Sequence, residues 1–173
     1  MKVQKSYFIE AFYVRWKKGV SMKYSGTLIA VNDMETSRKF YMEVLQQKII
    51  FDIGEHVSFE GNLSLQKNYD EIVGFSKDEI VRGSKNFELY FEEEDLDDFL
   101  NKKIYPSDIE LLHDVKEYEW GQRVIRFYDP DRHIIEVAES MVTVVKRFLK
   151  QGLSIEETAK RTMFSIEFVQ NCL

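Results

Sequence analysis

The chemistry of this chain has to be sought in carboxylates set inside apolar runs, and the clearest is Glu136, between Ile135 and Val137. It follows the turn Tyr128-Asp-Pro-Asp-Arg-His133, where a strand breaks at Asp129-Pro130 and re-enters as an apolar run. A carboxylate there either faces water on a half-exposed strand or has a partner or a reaction to serve, because burying it needs a metal, a cation or a proton. Trp120, Gln122, Arg123 and Arg126 precede the turn on one strand, and the even spacing puts Gln122 and Arg126 on one face. One of the two arginines is suited to pin an anionic ligand group; the competing role is a surface residue or a partner for acidic side chains. The histidines are His56, His113 and His133, and none falls into a Ser-His-Asp or Cys-His spacing. A glycine-rich phosphate loop is also missing from the sequence.

The elements that must position these residues come in two copies. Val31-Asn-Asp-Met-Glu35 recurs as Glu93-Glu-Asp-Leu-Asp97 at an offset of 62 (95 − 33), each time where a strand hands over to a helix. Asp33 and Asp95 sit at N-cap positions, and Phe40, Tyr41, Val44 and Leu45 then share a helical face, as do Leu96, Phe99 and Leu100. Each module reads as strand, helix and three strands. The first covers about 24–67, with later strands near 48–51, 56–59 and 63–66 separated by Gly-containing turns. The second covers about 86–139, with strands near 109–115, 122–128 and 133–138.

Gly26-Thr-Leu-Ile-Ala-Val-Asn-Asp-Met-Glu-Thr-Ser-Arg-Lys-Phe-Tyr-Met-Glu-Val-Leu45 and Trp120-Gly-Gln-Arg-Val-Ile-Arg-Phe-Tyr-Asp-Pro-Asp-Arg-His-Ile-Ile-Glu136 together resemble the opening and closing segments of the glyoxalase/bleomycin-resistance/dioxygenase superfamily, the vicinal oxygen chelate fold. The resemblance runs from about Tyr24 to Glu139. It implies an α+β fold in which two βαβββ modules form a curved mixed sheet cup that holds a small ligand, often over a divalent metal. The cup, not the fold, then decides the function.

Carried onto this chain, that family's four metal positions fall on Gly26, about Ser64, Glu88 and Glu136. Gly26 and Glu88 are related by the same offset of 62 (88 − 26). Imidazole or carboxylate at all four positions is what a tightly held zinc, nickel or manganese needs, and here only two carboxylates remain. No cofactor is therefore expected, beyond a weakly bound divalent metal on Glu88 and Glu136. The other reading makes Glu88 and Glu136 a catalytic pair, in which like charges raise one pKa and set a proton donor beside an acceptor. His56, Trp120, Gln122 and Arg126 are the expected ligand-binding residues of the cup. Arg132 stands where the family has Gly after Asp-Pro-Asp, a position that calls for positive φ.

Composition sets the remaining bounds. The chain of 173 residues is 44% hydrophobic with two prolines and eight glycines, enough for a substantial core. A single cysteine, Cys172, excludes an intrachain disulfide, and no apolar stretch has the length of a membrane span or signal peptide, so a cytoplasmic location is expected. The net charge of −6 argues against broad nucleic-acid binding. Met1–Ser21 carries five basic residues and one acidic, and Met22 directly precedes the family-like region. The expectation is that residues 1–21 are an extension outside the natural start, with 22–140 as the main domain. Residues 141–173 read as a helical tail: Val144, Val145, Phe148 and Leu149 share a face, Gly152 is a stop, and Ser154-Ile-Glu-Glu157 is a capping box. Gly152–Val169 resembles a helix-turn-helix segment, but its second helix carries no Lys or Arg for phosphates, so a packed appendage is expected and DNA reading is not.

The leading expectation is a protein that binds a small organic molecule in the sheet cup, without a tightly bound transition metal, as a homodimer. The alternatives are a lyase or isomerase resembling glyoxalase, metal-dependent or not, and a regulatory protein that uses its C-terminal tail.

Overall fold

Two strand–helix–three-strand units account for most of the chain, and in both an aspartate just beyond the first strand caps the helix. The computed structural model describes residues 22–173; the expected extension Met1–Ser21 lies outside the described residues. In the first unit β1 (Thr27–Ala30) leads to α1 (Met34–Glu43), then β2 (Ile49–Asp52), β3 (His56–Phe59) and β4 (Leu63–Gln66). The Asp33 carboxylate accepts from the backbone N–H of Glu35 at 2.9 Å and Thr36 at 3.3 Å, satisfying donors that the first helical turn leaves open. A connecting segment follows with a short helix, α2 (Tyr69–Val73), and a 3₁₀ turn at Lys77–Glu79. The second unit runs β5 (Leu89–Glu93), α3 (Leu96–Phe99) extended by a wider π-type turn over Leu100–Ile104, then β6 (Leu111–Glu117), β7 (Arg123–Tyr128) and β8 (Ile134–Glu139). Asp95 caps α3 by accepting from Asp98 N–H at 3.0 Å.

The strands form two separate four-stranded mixed sheets in the orders β1-β4-β3-β2 and β5-β8-β7-β6. In each, the first and last strands of the unit run parallel and the others antiparallel. The equivalence of the units extends to register. Leu28 lies opposite Ser64, and Tyr90, its counterpart 62 residues on, lies opposite Glu136. Strand alternation then divides each sheet into an apolar face and a polar face. Ile29, Val57, Phe59, Leu63 and Leu65 of the first sheet join Ile125, Phe127, Ile135 and Val137 of the second in one core with Met34, Tyr41, Leu45, Leu96, Phe99 and Leu100. Each such side chain contributes roughly 1.5–3 kcal/mol by leaving water. Helix α1 reaches both sheets: Tyr41 stacks on Phe59 at 5.7 Å, and Phe40 meets Phe127 edge-on at 6.4 Å.

The Asp-Pro-Asp turn clamps the two units together. Asp129 accepts from Tyr41 OH at 2.9 Å and from His133 Nδ1 at 2.8 Å. Asp131 accepts from Asn32 N–H at 2.9 Å and Ser37 Oγ at 3.0 Å, and is ion-paired with Arg82. Burial, with the Asp129 carboxylate beside it, pushes the Tyr41 hydroxyl pKa well up. Arg132 adopts φ 68°, the left-handed conformation expected where the family has glycine, and its guanidinium pairs with Glu110 and lies 4.4 Å from the Tyr128 ring centre.

The tail forms three helices, α4 (Met141–Lys150), α5 (Ile155–Thr162) and α6 (Ile166–Asn171). Gly152 at φ 96° ends α4, the Ser154–Glu157 capping box starts α5, and Ser165 caps α6. Val145, Ala159, Val169 and Cys172 form a second, smaller core. Phe148 of α4 lies against Gly121, where a Cβ would collide with its ring. Beside it Arg147 bonds the Gly121 carbonyl and donates to buried Glu139 at 3.0 Å, and Glu139 also accepts from Arg123 at 3.0 Å. Among the described residues no helix is long and apolar enough to cross a membrane.

Candidate functional site

On the polar face of the second sheet the register sets one row of side chains across four strands: Tyr90, Glu136, Arg126 and His113. Arg126 is its centre. Nε donates to Glu88 Oε2 at 2.8 Å, one terminal nitrogen donates to Tyr118 OH at 2.6 Å and lies 3.2 Å from His113 Nε2, and the other is ion-paired with Glu136. Glu136 is 7% exposed, and its Oε2 accepts no hydrogen bond beyond that ion pair. Sequence reasoning set the two carboxylates against one another; the structure places a guanidinium between them. Both carboxylates are ion-paired with that guanidinium.

A second set of contacts borders the row. Trp120 stacks on Tyr118 with ring centres 4.7 Å apart and donates from Nε1 to Gln122 Oε1 at 3.0 Å. Gln122 Nε2 donates to Tyr90 OH at 3.2 Å and to the Glu139 carbonyl at 2.9 Å. Tyr90 in turn donates to Glu92 at 2.8 Å; burial first, and that carboxylate second, push its hydroxyl pKa up. Glu88, Glu136, Arg126, Trp120 and Gln122 are thus brought together on one sheet. His56 is not among them: it sits on the polar face of the first sheet, bonded to Gln66 and Ser58, with Ser64 next in line.

Tyr118, Tyr90 and His113 belong to the site and were not singled out from sequence. Tyr90 was legible as the residue two beyond Glu88 on the same strand face. His113 lies within β6, opposite Arg126.

The four family metal positions can be tested on this geometry. Gly26 has φ 150°, and a Cβ there would run into the backbone carbonyl of Asn62 and approach Asn62 Cβ to 3.0 Å. The close approach is used, because Asn62 O accepts from Thr27 N–H at 3.0 Å. A side-chain ligand at position 26 is therefore excluded by packing as well as by sequence. Ser64 stands in the register equivalent to Glu136 and its hydroxyl is bonded to Ser58 at 2.8 Å. With Arg126 between the two remaining carboxylates, this donor set does not fit a tightly held transition metal.

A family model described as a glyoxalase-like domain matches residues 24–142. Among solved structures, a protein of unknown function from Agrobacterium tumefaciens str. C58 is similar at 36% identity and a TM-score of 0.62, over 70% of this chain and 96% of that one. A glyoxalase-related enzyme from Fulvimarina pelagi shares 20% identity and a TM-score of 0.58, over 69% of this chain and 89% of its own. The fosfomycin resistance protein FosX from Listeria monocytogenes shares 18% identity and a TM-score of 0.52, over 70% and 95% respectively. The last two likenesses bear on the fold alone. A search of curated proteins gives no match.

Proposed function

The chain belongs to the glyoxalase-like domain family, and from that premise we propose that it binds a small organic molecule on the polar sheet faces, as a homodimer and without a tightly bound transition metal. The observation that carries this reading is Arg126 seated between Glu88 and Glu136. In a chelating site those carboxylates would be occupied by a metal; here a side chain of the protein already neutralises them in part. Two negative groups against one positive leave the row with an excess negative charge, which favours neutral or cationic ligands over anionic ones. Trp120 and Tyr118 add a flat aromatic surface of the kind that small organic ligands pack on, and Gln122 and Tyr90 supply polar groups to orient them.

Native mass spectrometry of the purified protein tests the reading directly. The expected spectrum is a dimer free of stoichiometric transition metal, with or without a retained organic mass. One zinc, nickel or manganese per subunit would overturn it and return the chain to glyoxalase-like lyase or isomerase chemistry.

A further inference from the structure

Gln66 fixes one end of a hydrogen-bond chain on the first sheet. Its Nε2 donates to the backbone carbonyls of Glu55 at 3.0 Å and Lys67 at 2.7 Å, so turning the amide over would forfeit both bonds. Oε1 is therefore the atom facing His56 Nδ1 at 2.9 Å, and Nδ1 must carry the ring proton. A neutral imidazole then offers only a lone pair at Nε2, so Ser58 Oγ, 2.9 Å away, donates to it. Ser58 has one proton, now committed, and its 2.8 Å contact with Ser64 Oγ is made by the Ser64 proton. What Ser64 retains is acceptor lone pairs. Ser58 is 2% and Gln66 7% exposed, so the inner part of the chain is shielded from water that would otherwise scramble its direction.

Ser64 and Ser58 line a cleft of about 190 Å³ together with Gly26, Leu28, Phe59 and Asn62. Gly26 forms part of the wall without a side chain, since a Cβ there would meet Asn62. We propose that Ser64 Oγ is a specificity-determining acceptor, which selects ligands that present an N–H or O–H donor to this cleft. Gln66, His56 and Ser58 are positioning residues that hold its polarity. The inference rests on the reading that the chain binds a small organic molecule.

Two measurements test it. The first is ring ¹⁵N and ¹³C NMR of His56 in the full-length wild-type chain at about pH 8, where an ordinary imidazole is neutral. The proton is expected on Nδ1; a proton on Nε2 overturns the proposal without any ligand. The second is a pair of NMR titrations with phenol and anisole, which differ in whether the oxygen carries a donor, followed at the amides of Gly26, Leu28 and Ser64. Phenol is expected to bind roughly three- to tenfold tighter, the size of one net hydrogen bond, and Ser64→Ala to abolish that preference while leaving the anisole affinity in place. Equal binding of the two probes overturns this inference alone. No perturbation of those amides by either probe also overturns this inference, while the binding reading itself stands or falls on the native mass spectrum.

Discussion

Arg126 and Glu136 face one another directly across the antiparallel β7–β8 pair, and the guanidinium that neutralises Glu136 also holds Glu88. Removing the cation therefore strands two carboxylates. Arg126→Met is expected to destabilise the protein by about 2–4 kcal/mol, below the loss for a wholly buried pair because Arg126 keeps some contact with solvent. Urea denaturation measures the loss, and adding Glu136→Gln to that variant should recover most of it. The single variant should also gain thermal stability from millimolar manganese, which the wild type should not. A wild-type response of equal size would mean that Arg126 is not the group that keeps a cation out.

Glu139 gives a pH dependence of known sign. Burial alone would raise its pKa, but hydrogen bonds from Arg123 and Arg147 together hold it below its ordinary value of 4.5. A depressed folded-state pKa stabilises the protein fully above the unfolded value and is lost as pH falls through the folded one. Stability should thus decline as pH drops below about 4.5, and Glu139→Gln should flatten that part of the curve. Acid titration followed by circular dichroism checks this; identical slopes would remove Glu139 from the account.

Gly121 joins the tail to the candidate site. It has φ 89°, Phe148 of α4 presses on it, and its neighbour Trp120 stacks on Tyr118. Gly121→Ala is expected to cost about 2 kcal/mol or more, through overpacking and a conformation unfavourable to L side chains. Trp120 fluorescence, recorded with Trp16 replaced by Phe, should shift to longer wavelength as the hairpin lifts. An unshifted spectrum in a folded variant would show that α4 does not set the hairpin's position.

The modules were legible because their signals are local. Alternating apolar residues gave the strands, Asp33 and Asp95 gave the helix starts, and Gly152 with the Ser154–Glu157 box gave the tail its breaks. The Gly26, Ser64, Glu88 and Glu136 positions followed from the family pattern, and pairing register then placed Ser64 level with Glu136. The partners of these residues were hidden. Arg126 lies 38 residues from Glu88, and only the strand order brings them together. Likewise Asp131 and Arg82 are 49 residues apart, and nothing in the composition of the connecting segment marks Arg82 as a clamp. The Gln66–His56–Ser58–Ser64 chain depends on side-chain amide orientation, which no spacing rule encodes.

The tail carries the last prediction, because its fold invites a DNA-binding reading. Helix α6, the second of the helix-turn-helix pair, is Ile166-Glu-Phe-Val-Gln-Asn171 and holds no cation, while α5 offers only Lys160 and Arg161 in its last turn. Affinity for a duplex comes largely from neutralising phosphates, and two exposed cations on a chain of net charge −6 supply little of it. Arg147 of α4 is committed to Glu139 and the Gly121 carbonyl. The full chain is therefore expected not to retard random duplex DNA in a mobility-shift assay, even at about 50 mM salt where electrostatic binding is strong. Retardation that fades as salt rises would show that α5 and α6 bind phosphate after all, and would make the tail the functional part of the molecule rather than a buttress for the second sheet.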